Sequence, residues 1–282
     1  MCRSLVNVLS FGSPMEMETA EYAILEVARH PSGVQHLQQA GLVQVIVSMF
    51  VMQELAYSRR RALHLAISVA GCAEAVEDLM QPPFIDAFGS CLTDGFPETQ
   101  LQACKALYSL LSQCIGQARG RARRLVPLLV FLAREAPSAE LRRSAARCLG
   151  LFVKQKGCKE LMAAAGAIAT VMKLITDESD VESCRHGLHL MHNLAMDHPK
   201  IAQSFVDQGA VIQLGGLMST PLSTQAVSAT VCLSATCVNV TAELIIYRVH
   251  LRLADVLARQ HSTARWDRQQ DSGWKFDDGR DP

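Results

Sequence analysis

GAIATVMKLITDESDVESCRHGLHLMHNLAMDHP, residues 166–199, carries the clearest evidence for the fold. An apolar run is followed by a short acidic segment and then by a second run, 182–195, in which apolar residues recur every three or four positions. That spacing predicts a helix with one buried face. The buried face comprises Cys184, Gly187, Leu188, Met191 and Ala195. The acidic segment predicts a loop, in which Asp180 is placed to cap the second helix.

The same pattern recurs along the whole chain. Apolar helical runs open at Gly41, Pro83, Arg124, Gly166 and Gly209, which indicates a repeat with a period of roughly 42 positions. Large apolar residues recur with the same period at Leu65, Leu107, Leu149, Met191 and Leu233. Small residues precede the last four of these by four positions, at Ala103, Ala145, Gly187 and Ala229. In the first unit that position is Arg61, which departs from the pattern.

Prolines mark where units begin. His30-Pro31 and His198-Pro199 are separated by four periods of the repeat. Because proline suits the first turn of a helix, each unit is predicted to contain a short first helix, a glycine-led second helix and a longer third helix. No such unit can bury its apolar face alone, so the units are expected to stack. The third unit departs, with a shortened, arginine-rich first helix.

Residues 157–237 resemble armadillo repeats. The resemblance rests on the GAI and GAV helix starts, the apolar runs after them and the LMHNLA ending, and in weaker form it extends over about 20–240. HEAT repeats have a similar architecture, so the sequence leaves open whether the repeats are of the armadillo or the HEAT type. The resemblance implies an all-α, right-handed α-solenoid of three-helix repeats. The repeat positions, a final amphipathic run and a polar, turn-rich end divide the chain into a partial capping repeat (1–40), a repeat array (41–241), a capping helix (242–260) and a disordered polar tail (261–282).

Composition excludes several classes of protein. The chain has 27 basic and 27 acidic residues, so no overall field favours nucleic acid or an anionic membrane. Ten cysteines without a CxxC pair indicate a reducing compartment, the cytosol or the nucleus. No signal peptide is recognised. The uncharged stretch 208–242 is interrupted by proline, glutamine and hydroxyl residues, so no membrane span is predicted.

The third helices of armadillo proteins line a groove that holds an extended partner. The resemblance therefore implies a groove on the exposed side of these helices, where basic side chains gather in the middle repeats. The expected partner-binding residues are Lys105, Tyr108, Arg143, Arg147, Arg185, His189, His192 and Asn193. The four cations would attract an acidic segment, and the other four side chains would form hydrogen bonds. The predicted function is a non-enzymatic scaffold or adaptor that binds other proteins.

Other interpretations of the histidine-rich helix stay open. Its exposed face can simply be solvated. A metal site is disfavoured, because His186 and His192 are about 9 Å apart along a helix with His189 between them, so all three cannot reach one ion. No catalytic motif is recognised, and neither a cofactor nor a metal is predicted.

Two further functions compete with the scaffold. A co-chaperone or assembly factor would use apolar groove ends. The residues expected there are Leu63, Ala66, Val227 and Val231. Binding of nucleic acid would use the basic run QARGRARRL (117–125). No aromatic residues interleave with this run, and basic runs of this kind are more often solvated loops. We regard nucleic acid as the least favoured partner.

Overall fold

The computed structural model describes residues 1–51, 56–114, 117–177 and 179–237, together with residues 253, 254, 256 and 258. Regular structure within these residues is entirely helical. The chain divides into two compact units, Met1–Asn193 and Leu194–Pro282. The predicted polar tail, and all but four positions of the predicted capping helix, lie outside the described residues, so both assignments stay predictions.

The helices follow the predicted order. A pair formed by α1 (Cys2–Phe11) and α2 (Pro14–Val27) comes first. Repeat one contains α3 (Pro31–Gln39), α4 (Leu42–Val51) and α5 (Ala56–Val69). Repeat two contains α6 (Ala73–Leu79), α7 (Pro82–Leu92) and α8 (Pro97–Gln113). Repeat three contains α9 (Gln117–Arg121), a 3-10 helix (Ala122–Leu125), α10 (Val126–Glu135) and α11 (Ala139–Phe152).

Two repeats complete the described helices. Repeat four contains α12 (Cys158–Ala164), α13 (Ala167–Thr176) and α14 (Val181–Ala195). Repeat five contains α15 (Pro199–Asp207), α16 (Ala210–Leu217) and α17 (Ser223–Thr236). The arginine-rich first helix of repeat three is short, as predicted: α9 spans only Gln117–Arg121 and continues directly as the 3-10 helix.

Proline and glycine set the helix starts as the sequence predicted. Pro31 and Pro199 occupy the first turns of α3 and α15, where a missing amide hydrogen costs nothing. Gly166 and Gly209 precede α13 and α16 with φ angles of 90° and 79°. Only glycine adopts this left-handed geometry without a steric penalty, so it separates the first helix from the second.

The predicted periodic residues form the core. Leu65, Leu107, Leu149, Met191 and Leu233 all have 0% exposure. The small residues before them let neighbouring helices approach: a Cβ added at Gly187 would lie 2.9 Å from Cγ2 of Ile175 and 3.0 Å from Cβ of Leu174. The close approach that the small-residue series predicted is therefore present in repeat four.

The uncharged stretch is helical but short in its described part. It forms α16 and α17, which span Ala210–Leu217 and Ser223–Thr236. A span of the bilayer needs about 20 residues. Within the described residues, no helix is both long enough and apolar enough to cross a membrane.

Candidate functional site

The candidate site lies on the third-helix face, by which we mean the outward sides of the third helices α5, α8, α11 and α14 and of α2, which precedes repeat one and packs against α5 in the same way. Neighbouring third helices pack against each other in the pairs α2–α5, α5–α8 and α8–α11. All eight residues predicted to bind a partner lie on this face, on α8, α11 and α14. The structure gathers some of them into one pocket and pairs others within the chain.

The α8–α11 pocket is the part of this face where predicted residues converge. It has a volume of about 310 Å³. Its lining consists of Cys104, Lys105, Tyr108, Ser109, Ser144 and Arg147. Lys105, Tyr108 and Arg147 were predicted from the repeat register. Ser109 and Ser144 were not, although Ser109 lies two repeat periods before Asn193, which the register did predict.

Arg147 is the most available cation of the pocket. Its guanidinium carbon lies 4.3 Å from the centre of the Tyr108 ring, which is a cation–π contact. The residue is exposed, and no acidic side chain pairs with it within the described part of the chain. Stacking on the ring holds the guanidinium in place while leaving its N–H groups available for an anion.

The two serines bring hydroxyl groups to the same pocket. Ser144 is buried, with 9% exposure, and Ser109 is half-buried. Neither hydroxyl has a hydrogen-bond partner among the residues that the structure describes. A hydroxyl that lines a pocket and has no partner within the protein can form a hydrogen bond with a group that enters the pocket.

Three of the four predicted groove cations form ion pairs within the chain. Lys105 Nζ lies 2.8 Å from Glu140, Arg143 lies 2.8 Å from Asp180, and Arg185 lies 3.4 Å from Glu182. The positive strip expected from the sequence is therefore compensated at these positions. Glu140 and Asp180 follow their cations in the sequence by slightly less than one repeat period. That spacing is the sequence feature from which these two ion pairs could have been predicted.

Asp180 caps α14, as the sequence predicted. Its carboxylate accepts a hydrogen bond from the backbone N–H of Ser183 at 3.1 Å. Partial burial raises the pKa of Asp180, but the hydrogen bonds from Ser183 and from the Arg143 guanidinium outweigh it and leave this pKa below its ordinary value. The acid is thus ionised when it joins α11 to the start of α14.

The remaining predicted residues lie on α14. His189 is exposed, His192 is half-buried, and Asn193 donates its side-chain N–H to the carbonyl of His189 at 2.8 Å. His186, to which the sequence assigned no role, is half-buried, and its pKa is lowered by that burial and by the nearby positive charge of Arg147. Among the described residues, no group of three His, Cys, Asp or Glu side chains could hold a metal ion.

A second pocket, between α2 and α5, was missed by the sequence analysis. It has a volume of about 340 Å³. Its lining consists of Glu18, Glu21, Tyr22, Leu25, Arg60, Arg61 and His64. Glu21, Leu25 and Arg60 each lie two repeat periods before a lining residue of the α8–α11 pocket, so the two pockets occupy equivalent positions in the repeats. The side chains at the shared positions differ in charge.

Arg61, which departs from the small-residue series, is explained by this second pocket. Its side chain is 3% exposed and lies 2.6 Å from Glu21, whose side chain is 14% exposed. Burial raises the pKa of Glu21, whereas hydrogen bonds from His64 and Arg61 lower it, and the net result is a lowered pKa. Arg61 therefore joins α5 to α2 by a buried ion pair.

The basic run 117–125 serves the packing of repeats. Arg119 donates to the carbonyls of Leu111 and Cys114 at 2.6 and 3.0 Å, and to that of Leu151 at 3.3 Å. Arg121 pairs with Glu77 at 2.7 Å, and Arg124 pairs with Asp86 at 2.8 Å. Three of the four arginines thus contact neighbouring parts of the chain, and two of them are paired with carboxylates, which leaves fewer of these side chains available to a nucleic acid.

The apolar groove ends expected for a co-chaperone are mostly inaccessible. Leu63 and Ala66 have 0% exposure and Val227 has 7%, whereas Val231 has 49%. Their assignment to an exposed apolar surface was wrong for the first three. They pack into the core, so the buried faces of α5 and α17 are wider at these positions than the sequence register indicated.

Comparison with known proteins shows the fold. No protein-family model matches the sequence, and no curated protein sequence is similar to it. An engineered protein of known crystal structure superposes with a TM-score of 0.75 at 21% identity, covering 84% of this chain and 97% of that protein. A designed armadillo repeat protein in complex with the peptide (KR)4 has a TM-score of 0.74 at 18% identity, covering 82% and 99%.

A third structure agrees with these two. Computationally designed armadillo repeat proteins for modular peptide recognition match with a TM-score of 0.74 at 18% identity, covering 83% of this chain and 99% of theirs. At sequence identities of 18–21%, these superpositions establish the fold class alone. The chain is an all-α solenoid built from armadillo-like three-helix repeats.

Proposed function

We propose that this protein is a non-enzymatic scaffold or adaptor that holds an extended segment of another protein along its third-helix face. The observation that carries the proposal is the α8–α11 pocket, where Lys105, Tyr108, Ser109, Ser144 and Arg147 present hydrogen-bond donors beside a cation. Concave sites with a few converging polar groups are the usual form of binding sites. Two of the similar structures are designed peptide binders, which supports the same function.

An acidic segment is the partner that this charge pattern favours. Arg147 has no acidic partner within the described residues, and a carboxylate can accept two parallel hydrogen bonds from a guanidinium. Because Lys105 and Arg143 form ion pairs within the chain, we expect the preference for acidic residues at Arg147 rather than along all the predicted basic positions. The basic (KR)4 peptide bound by one designed neighbour has the opposite charge, so partner charge is the property to test first.

The cytosol or the nucleus is the compartment we propose for this activity. All ten cysteines are free thiols, and nine of them are buried. Burial raises the pKa of Cys91 to about 12 and that of Cys184 to about 11. Such thiols are unreactive and pack as small apolar side chains, which suits a reducing environment.

A selection from a random peptide library tests the function. We expect the full chain to enrich extended peptides with acidic residues, and individual peptides to lose affinity when Ser109→Trp fills the α8–α11 pocket. The matched control is Ser90→Trp, which adds the same bulk at an exposed serine on the second helix α7 of the same repeat. Equal affinity for the two variants, or no enriched peptide at all, would refute the proposal.

A further inference from the structure

We infer that the α8–α11 pocket binds the phosphate group of a phosphorylated serine or threonine in the partner segment. This inference rests on the proposed function and names the chemistry that one position of the groove recognises. It is carried by the number and type of donors that line the pocket and by the partnerless hydroxyl of Ser144.

The donors outnumber what a carboxylate can use. Three hydroxyl groups, one ammonium and one guanidinium line a space of about 310 Å³. A carboxylate has two oxygens and one negative charge, whereas a phosphorylated side chain has three terminal oxygens and a charge of about −1.5 to −2 at neutral pH. Five donor groups from two helices therefore match the tetrahedral phosphate better than the planar carboxylate.

The two helices present these donors in complementary positions. Lys105 and Ser109 lie one turn apart on α8, and Ser144 and Arg147 lie one turn apart on α11. Residues three or four apart share one side of a helix, so each helix directs a hydroxyl and a cation at the space between them. Ser144 has 9% exposure, and its hydroxyl has no partner among the described residues, so it can donate a hydrogen bond to a bound oxyanion.

Charge favours the phosphate as well. Lys105 already shares its charge with Glu140, which is half-exposed, so a monoanion gains little from it. A dianion competes better for this lysine, and Arg147 adds a cation that no acid within the described residues neutralises. Arginine binds phosphate through two parallel hydrogen bonds.

The equivalent α2–α5 pocket lacks this chemistry. The positions of Lys105, Ser109 and Ser144 are occupied there by Glu21, Leu25 and Arg60. A carboxylate and an aliphatic side chain replace the ammonium and one hydroxyl, and Glu18 and Glu21 offset the charges of Arg60 and Arg61, so this pocket favours a phosphate less. The phosphate site would thus distinguish one of these two pockets from the other and set the position of the partner segment in the groove.

A phosphorylated protein fits better than nucleic acid. Single-stranded nucleic acids bind through bases stacked on aromatic faces. Tyr108 is the one aromatic residue of the pocket lining, and its ring carries Arg147. That contact also occupies the ring on which a phosphotyrosine could stack, so phosphoserine and phosphothreonine are the expected groups.

An array of random nonapeptides tests the inference. Each sequence is synthesised in three forms, with phosphoserine, serine or glutamate at the central position, and affinities of the full chain are measured for the sequences that bind. We expect the phosphorylated form to bind about tenfold more tightly than either other form, the effect of hydrogen bonds to a charged group. Single-stranded RNA and an inositol phosphate serve as competitors.

Two variants and one control locate the effect. Arg147→Gln and Ser144→Ala should each reduce the affinity ratio between phosphorylated and unphosphorylated peptides towards one. Arg123→Gln removes an exposed arginine outside the pocket and should leave the ratio unchanged. Thermal unfolding of each variant within a few degrees of the parent chain shows that folding is preserved.

The outcomes separate the inference from the proposed function. Binding of phosphoserine and glutamate peptides with equal affinity overturns the phosphate site and leaves the scaffold standing. A preference that persists in Arg147→Gln, or RNA that competes in an Arg147-dependent way, also overturns the phosphate site. If no peptide of any form binds, both proposals fail.

Discussion

At the level of single residues, Gly187 shows how a sequence pattern becomes a packing requirement. The glycine lies on the buried face of α14, and the nearest side-chain atoms to an added Cβ would be the rigid Cβ of Leu174 and Cγ2 of Ile175. At Gly150 on α11, by contrast, an added Cβ meets nothing within 4 Å. The two glycines occupy helix interiors and differ in the space around them.

Replacement of each glycine by alanine gives opposite predictions. Gly150→Ala should raise the free energy of unfolding by up to about 1 kcal/mol, because alanine favours the helix. Gly187→Ala gains the same propensity but overpacks the core, which typically costs about 1–3 kcal/mol, so a net loss is expected. Chemical denaturation of the two variants measures the difference. A stabilised Gly187→Ala variant would show that α13 and α14 separate freely.

The buried ion pair of Arg61 gives a second prediction for single residues. Arg61→Ala leaves the largely buried carboxylate of Glu21 with His64, at 3.6 Å, as its ion-pair partner among the described residues, and should cost about 3 kcal/mol of unfolding free energy. Glu21→Ala combined with Arg61→Ala should recover most of that loss. Lys105→Ala is the control, since it removes one partner of an exposed pair, which contributes far less. An equal loss of unfolding free energy in Arg61→Ala and Lys105→Ala would contradict this explanation.

At the level of elements, the start of α14 depends on one side chain. The carboxylate of Asp180 accepts hydrogen bonds from Ser183 and from Arg143 on α11, so it both caps a helix and connects two repeats. The preceding loop is held in the same way, because Arg142 contacts Asp177 at 3.4 Å. The helix that carries His186, His189 and His192 is therefore positioned by carboxylates that precede it.

Asp180→Ala should destabilise the protein by about 2–5 kcal/mol, the sum of a lost cap and a lost hydrogen bond to a charged group. Hydrogen exchange should show the greatest loss of protection in the first turn of α14. The control is Ser138→Ala, which removes the weaker cap of α11, an N–H contact of 3.4 Å from Leu141. An Asp180→Ala variant no less stable than the control would refute the dual role of Asp180.

At the level of the whole molecule, ion pairs between successive repeats make stability depend on pH. Glu21 joins α2 to α5, Glu140 joins α8 to α11, and Asp180 joins α11 to α14. The pKa of each is below its ordinary value: hydrogen bonding to Lys105 lowers that of Glu140, and for the other two the hydrogen bonds outweigh partial burial. Each pair is therefore weakened when its acid is protonated.

The sign of the pH dependence follows from these lowered values. The contribution of the three acids is complete above the unfolded-state pKa of about 4 and is lost as the pH falls through the lower folded-state values. The denaturation midpoint should hence decrease below about pH 4. In the variant Glu21→Gln, Glu140→Gln, Asp180→Asn the decrease should be shallower, whereas Glu98→Gln, at an exposed position, should keep the full slope. An unchanged slope in the triple variant would contradict the prediction.

Much of the architecture could be predicted because its signals are local. Each of these signals acts within a single helix or turn, and equivalent ones recur in other repeats. Examples are the helical spacing of Leu188 and Met191, the proline at 199 and the glycine at 166. The predicted cap of α14 by Asp180 belongs to the same group. The site was only partly predictable. Tyr108 and Arg147 were found from the register, but Ser144 was not, since it directly precedes Ala145 of the buried small-residue series and looks like ordinary core.

Local signals in the sequence were enough to establish the repeat period, the order of helices and most of the faces they bury, because apolar periodicity and helix-ending residues act over a few positions. Which charges on the third helices remain available to a partner was settled by the folded chain alone. Arg143 and Lys105 find their acids in the next repeat, whereas Arg147 stacks on Tyr108 and pairs with no acid among the described residues. Coulomb attraction depends on distance in space, and packing of one repeat on another sets that distance.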